Sequence, residues 1–448
     1  MALAGTVHAA RVVRVPAQPG AAVAALAVAA PGDTLVLAAG VHTGPLTITV
    51  PIVLRGETGA VVDGGGRGSV IIVAAGGAAI EHLGVRASGR DVMKIDAGVQ
   101  VLRCAGVRIR AVRATDVLYG IYAERAAGLR VADCELQGRV APGDESGEGN
   151  GIHLWYCSSA TLAGNQVRGF LDAIYLSFVN DIDISHNRLE WNGRYGLHTM
   201  YCQSNRFEGN VFTLNVAGCA LMFSNGLLIR GNDFVRNRGP RTYGLLLRDC
   251  SDGRFLDNRM IDNTVAVFMD DSNRNRFRRN LIEDNGWGIL LFSSCAGNEF
   301  AENNFISNDY PVALDMRRTN NRFDDGAIGN YWSDNGAYDL DGDGVGDVAY
   351  SPVSAFAFIS KQYPDLTILA KSPAVAALSA AERVLPALQP SEAVDHFPLV
   401  RPAHTAPVEP EAGTARRSPV AWPAGLGFAA LFLLGLAGLL SAARTRLA

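Results

Sequence analysis

Two groups of side chains in this chain have the types and spacing to hold a metal ion. In Gly151-Ile-His-Leu-Trp, apolar residues alternate with polar or aromatic ones, so Ile152 and Leu154 face one way and His153 and Trp155 the other. The layout returns in Gly196-Leu-His-Thr-Met and Gly218-Cys-Ala-Leu-Met, which puts His198 and Met200, then Met222, on that second face. Thioether sulfur is a soft ligand that suits Cu(I), and imidazole suits copper in either oxidation state. His153, His198, Met200 and Met222 are therefore the candidate copper ligands, as an exposed cluster able to hold Cu(I) transiently. The same residue types also suit a protein contact surface. Farther along, the same positions are taken by Arg248 and Asp270, so the soft character is local.

The second group is Asp339-Leu-Asp-Gly-Asp-Gly-Val-Gly-Asp. Asp339, Asp341, Asp343 and Asp347 fall at positions 1, 3, 5 and 9 of an EF-type loop, with glycine at position 6 and the Val345 carbonyl at position 7. Position 12 is Tyr350, so the usual bidentate glutamate is absent, and Asp334 is the carboxylate at hand to complete a shell. The expectation is a stabilising Ca²⁺ site.

The first group needs an element that stacks its segments in register, and the chain contains a repeat. Asn165, Asn187, Asn210, Asn232, Asn258, Asn280 and Asn303 follow at intervals of 22, 23, 22, 26, 22 and 23 residues. Roughly eight residues after these come small-residue signatures like those at Gly151 and Gly196, repeated at Ala173, Gly218, Gly244, Ala266, Gly288 and Pro311. Self-similarity at this length marks a solenoid. Leucine-rich repeats overlap the period, but neither a leucine lattice nor a helical stripe accompanies it here. The alternation has period two over short runs broken by polar turns. The reading is all-β: a right-handed parallel β-helix with three short strands per coil and an asparagine ladder at one corner. Thr34 to Asn330 then makes about 13 coils spaced ~4.8 Å apart. Met200 and Met222 become vertical neighbours in such a stack, with His198 beside them and His153 two coils below.

The domain reading runs from end to end. Residues 1–10 are the remnant of a secretory signal whose start lies upstream, since Val7-His-Ala9 resembles a small-residue cleavage site. Residues 18–31 form an N-terminal cap, with a helical run Ala21–Ala30 ended by Pro31-Gly32. Residues 32–335 are the β-helix. Residues 336–400 hold the acidic loop and a helical extension, in which Ser372-Pro373 opens a helix through Leu388 with an apolar stripe of Val375, Leu378, Leu385 and Leu388. That stripe suits the end of the solenoid or a membrane partner. Residues 401–421 are a flexible linker and residues 422–444 a transmembrane helix, because Ala424–Ala443 carries no charge and Trp422 sits at its edge. The expected location is the periplasm, anchored to the inner membrane.

Net charge is −4 in 448 residues, with arginine used almost to the exclusion of lysine, so there is no nucleic-acid footprint. The seven cysteines do not form a disulfide framework. Cys157, Cys202 and Cys250 occupy one column on alternate coils, ~9.6 Å apart, beyond disulfide reach. They read as small buried hydrophobes, whereas Cys104 and Cys134 fall outside the clean repeat. Because many β-helices act on polysaccharides, a carbohydrate-active enzyme (uronan hydrolase, lyase or epimerase) is the alternative function. Its paired carboxylates would be Asp270 and Asp271, the sole outward pair in the repeats, without further acid–base partners on adjoining coils.

Several segments are similar to the NosD family of periplasmic accessory proteins that mature the copper sites of nitrous oxide reductase. They are Pro31-Gly-Asp-Thr, the asparagine-punctuated coils, Gly329-Asn-Tyr-Trp-Ser-Asp, Tyr338-Asp-Leu-Asp-Gly-Asp-Gly-Val-Gly-Asp, Tyr350-Ser-Pro-Val-Ser and Ala380-Ala-Glu-Arg-Val-Leu-Pro-Ala-Leu. The resemblance implies a metallochaperone or scaffold, not an enzyme. It implies work with an ABC-type ATPase and its membrane subunit, copper from a donor lipoprotein, and delivery to nitrous oxide reductase. It carries no ligand set, so the histidine and methionine candidates rest on the alternation alone.

Overall fold

The computed structural model describes residues 9–144, 148–362, 366, 369, 372–384 and 392–403. Short period-two runs that bury alternate residues cannot hide their inner face alone, so each strand lies in parallel on the equivalent strand one coil away. Three sheets result, of 13, 13 and 12 strands. Sheet 1 runs from Val12–Val15 to Glu299–Ala301, sheet 2 from Gly40–Thr43 to Tyr331–Trp332, and sheet 3 from Leu46–Ile48 to Tyr310–Leu314. The parallel β-helix expected from the repeat is therefore present. Its core is one continuous cluster in which side chains stack on their own kind. The Phe255–Phe277 ring centroids are 4.3 Å apart, those of Phe277–Phe300 4.9 Å.

The corners hold asparagines in three ladders where the repeat pattern led us to expect one. The expected ladder, between sheets 1 and 2, runs from Asn165 up to Asn330, and Cys134 heads it by donating its backbone N–H to Asn165 Oδ1 at 3.0 Å. A second ladder between sheets 2 and 3 links Asn192, Asn215, Asn237, Asn263, Asn285 and Asn308. A third between sheets 3 and 1 links Asn275, Asn298 and Asn321. Asn210 shows the wiring. Its Nδ2 donates to Ile184 O and Asn232 Oδ1, both at 2.9 Å, and its Oδ1 accepts from Asn187 N and Nδ2. Every rung thus satisfies buried backbone groups that the turn would otherwise orphan.

All seven cysteines are buried and unbridged. Cys104, which sequence could not place, heads the column of Cys157, Cys202, Cys250 and Cys295 on the inward side after each sheet 3 strand.

Both ends are closed. Helix α1 (Ala21–Ala27) covers the N-terminal end and stops three residues short of the expected Ala30, where Val28 N–H bonds back to the Ala25 carbonyl. At the other end a strap, 392–403, crosses the last coil. Gly329 N donates to Phe397 O, and Leu399 N to Asn330 O. Asp395 is the pin of this strap, fully buried and accepting from Asn330 N at 2.7 Å, Trp332 Nε1 at 2.8 Å and Phe397 N at 3.1 Å. A Cβ on Gly329 would lie 1.8 Å from Asp395 Oδ1, so only glycine fits there.

Helices α2 (Ala355–Gln362) and α3 (Pro373–Val384) follow the acidic loop. The Glu382 carboxylate accepts from Ala355 N at 3.0 Å and so caps α2. Val375 and Leu378 pack with Phe356 against Trp287, Leu290, Tyr310 and Ala313. That is the outer flank of sheet 3, not the end of the solenoid, because the strap already occupies the end. Leu385 and Leu388, the signal remnant over residues 1–8, residues 404–421 of the linker and the expected membrane helix lie outside the described residues. Among the described residues no helix is long and apolar enough to cross a membrane.

Candidate metal centre

The outer face of sheet 3 carries the copper candidates. Strand pairing places Tyr122, His153, Tyr175, His198 and Ala220 in one column. Trp155, Ser177, Met200, Met222 and Arg248 form the next. Met200 and Met222 are thus neighbours in register, both partly exposed.

The two histidines differ from the exposed cluster expected. His198 is 7% exposed and lies among aromatic rings, with Tyr175 at 4.7 Å and Tyr195 at 5.1 Å between centroids. His153 lies two coils away with Tyr175 between them, its own ring 4.7 Å from Tyr175. Since coils lie ~4.8 Å apart and both ligands of one ion must come within about 2 Å of it, His153 and His198 do not share an ion in this arrangement. Burial pushes the His153 imidazole down to about 4. The candidate group therefore reduces to His198 with Met200 and Met222, and His153 stands apart.

Sequence reasoning missed the groups that hold His198. Asp172, fully buried, accepts from His198 Nδ1 at 3.0 Å and from Arg194 through Nε at 3.0 Å and Nη2 at 2.7 Å. Burial alone would push the Asp172 carboxyl up. The His198 and Arg194 hydrogen bonds outweigh it and hold the group below the ordinary carboxylate range. Asn150 ties the two histidine regions together, accepting from Asp172 N at 3.2 Å and placing Nδ2 3.3 Å from His153 Nδ1. The Arg194 guanidinium also covers the Tyr195 ring at 4.8 Å. The signal for these residues was present. Asp172 and Tyr195 immediately precede the signatures at Ala173 and Gly196, and pair with each other one coil apart. His186, next to the corner Asn187, is exposed at a left-handed corner (φ 55°) and has no part in the centre.

In the acidic loop three of the five candidates come together. Asp339, Asp341 and Asp347 have carboxylate oxygens within 4.8 Å of one another. Asp343 instead accepts from Val345 N at 2.7 Å, and Val345 bridges the strap at Leu399. Asp339 also accepts from Gly342 N and Gly344 N, at 2.7 and 3.0 Å, so the turn is tied by its own backbone. Tyr350 donates its hydroxyl to Asp334, leaving that carboxylate outside the group. Of the carboxylate pair Asp270–Asp271, Asp270 is likewise engaged, since Arg248 and Ser294 both bind it.

The chain is similar to several known proteins. Residues 138–337 match the family described as "Periplasmic copper-binding protein (NosD)". A "Probable ABC transporter binding protein NosD" of Pseudomonas aeruginosa is 32% identical over 380 residues, covering 82% of this chain and 87% of that one. One of the same description from Stutzerimonas stutzeri is 30% identical, with 82% and 86% covered. Among solved structures, the A-module of a mannuronan C-5 epimerase from Azotobacter vinelandii superposes with a TM-score of 0.53 at 15% identity, over 66% of this chain and 90% of that one. A family 28 exopolygalacturonase of Yersinia enterocolitica gives 0.54 at 12% identity, over 70% and 78%. Those two likenesses are of fold alone. The extent and identity of the NosD matches establish that this chain belongs to the NosD family.

Proposed function

We propose that this protein handles Cu(I) as a non-enzymatic partner of an ABC-type complex. It takes copper from a donor lipoprotein and passes it on during maturation of the copper sites of nitrous oxide reductase. An ATPase and its membrane subunit complete the complex, consistent with relatives described as ABC transporter binding proteins. The observation that carries the reading is the local run of soft donors on sheet 3, Met200 and Met222 in register beside His198, in a chain of a copper-binding family. Two thioethers and one imidazole, with no thiolate, suit a monovalent soft ion held loosely enough to be handed on.

The test is Cu(I) competition against a chromophoric chelator in the full chain. Replacing His198, Met200 and Met222 together by alanine is expected to lower affinity at least tenfold. Copper binding that is unchanged in the triple variant would remove these residues from the reading.

A further inference from the structure

We infer that Asp172 is a positioning residue which locks His198 in the tautomer whose Nε2 lone pair receives Cu(I). The inference rests on the copper-handling reading above and says which atom of the centre binds and what prepares it.

A carboxylate only accepts hydrogen bonds, so at 3.0 Å from Asp172 Oδ2 the His198 Nδ1 carries the proton. In the neutral imidazole Nε2 is then a bare lone pair. It is buried and has no hydrogen-bond partner, although buried imidazole nitrogens are ordinarily satisfied. The rings of Tyr175 and Tyr195 pack against His198 and leave it 7% exposed. An orphaned acceptor in an aromatic setting, with its opposite nitrogen pinned by a carboxylate, is the arrangement that metal-binding histidines show. Their second nitrogen is fixed by an outer carboxylate that sets tautomer and ring angle.

Asp172 is itself fixed. Arg194 grips both of its oxygens, and its backbone N–H bonds to Asn150 Oδ1. With Asn150 Oδ1 committed there, Asn150 Nδ2 faces His153 Nδ1 at 3.3 Å, so that nitrogen is the acceptor and the His153 proton sits on Nε2. The two histidines are held in opposite tautomers by one network, and only His198 keeps an unused lone pair. His42 also has an unpartnered nitrogen, but it is fully buried inside the solenoid and its Nε2 meets the Ala38 carbonyl.

The experiment uses the full chain free of copper. Long-range ¹H–¹⁵N spectra of the imidazoles should show His198 protonated on Nδ1 and His153 on Nε2. Asp172→Asn should convert His198 to a tautomer mixture and weaken Cu(I), measured by competition with bicinchoninate, about 10–100-fold. Thermal unfolding checks that the variant is folded. Arg194→Gln, which leaves both partners in place, should weaken Cu(I) in the same direction by a smaller factor. A proton on Nε2 of His198 in the unaltered protein would overturn the inference without any variant. Unchanged Cu(I) affinity in Asp172→Asn, with the tautomer shifted, would overturn it and leave the copper reading standing. Unchanged affinity in the His198/Met200/Met222 triple alanine variant would instead take down the copper reading at this face.

Discussion

Replacing Asn210 by alanine isolates what one rung of the corner ladder contributes. Its amide makes four hydrogen bonds: two donated, to Ile184 O and Asn232 Oδ1, and two accepted, from Asn187 N and Nδ2. Some partners have alternatives. Asn187 Nδ2 still donates to Leu162 O and Ser185 O, and Asn232 Oδ1 still accepts the backbone N–H of residue 210. The Asn187 backbone N–H loses its acceptor and is left buried. An orphaned buried donor costs about 1–3 kcal/mol, and the three other lost bonds add roughly 1 kcal/mol each, so a total of about 4–6 kcal/mol is expected. Because each coil contacts only its neighbours, the loss should be local. Hydrogen exchange should show the Asn187 amide losing protection while the Asn280 amide, four rungs farther along the ladder, keeps it. The control is Asn225→Ala at an exposed corner, where the side chain accepts only from Ser251 N at 3.0 Å and a change within about 1 kcal/mol is expected. A cost below about 1 kcal/mol for Asn210→Ala, or protection lost evenly along the solenoid, would refute the reasoning.

Two further outcomes follow from buried and clustered carboxylates. Burial raises the Asp395 carboxyl from 3.8 to about 6 despite three N–H donors, so the folded chain keeps a proton there that the unfolded chain releases, and stability falls as pH rises from about 4 to 6. His153, lowered from 6.5 to about 4, acts oppositely, costing stability as pH falls through that window. Each shift is worth about 3 kcal/mol, so Asp395→Asn should gain stability more steeply with rising pH over that window than the unaltered protein does. Urea midpoints measured across that range check this, and superimposable profiles would remove Asp395 from the account. In the acidic loop, we propose that Asp339, Asp341 and Asp347 hold a stabilising Ca²⁺: adding millimolar Ca²⁺ to EDTA-treated protein should raise Tm by a few degrees, and Asp341→Asn should abolish the gain. A Tm indifferent to Ca²⁺ would mean that the backbone bonds to Asp339 suffice.

The solenoid and the register of its outer columns were legible because every coil repeats the same short pattern, and a period-two strand leaves no choice of face once its inward residues are known. Met200 beside Met222 follows from that alone. The second ladder was equally present, five residues after each rung of the first from Asn187 to Asn303. It went unread because the residues around it vary: Trp191, Leu214, Arg236 and Asp262 all stand before its asparagines. Burial of His198 was not legible for a different reason. Alternation says which way a side chain points but not what lies over it, and the covering comes from Tyr175 on the coil below and Tyr195 on its own strand. The strap pairs residues about 65 positions apart, as Asp395 does with Asn330, and no local pattern announces such a contact. Helix α2, eight residues long, is too short for its periodicity to stand out.

The placement of sulfur has a consequence for traffic in copper. Every thiol in the chain is walled inside the solenoid, while the thioethers of Met200 and Met222 look outward. Thiolates grip Cu(I) tightly and are themselves easily oxidised, whereas thioethers neither pair into bridges nor need deprotonation. A carrier wearing its cysteines on the outside would risk cross-linking to its clients and retaining the ion it is meant to release. On the proposed copper-handling reading, keeping that chemistry in the interior leaves a low-retention surface, one from which cargo can leave as readily as it arrives.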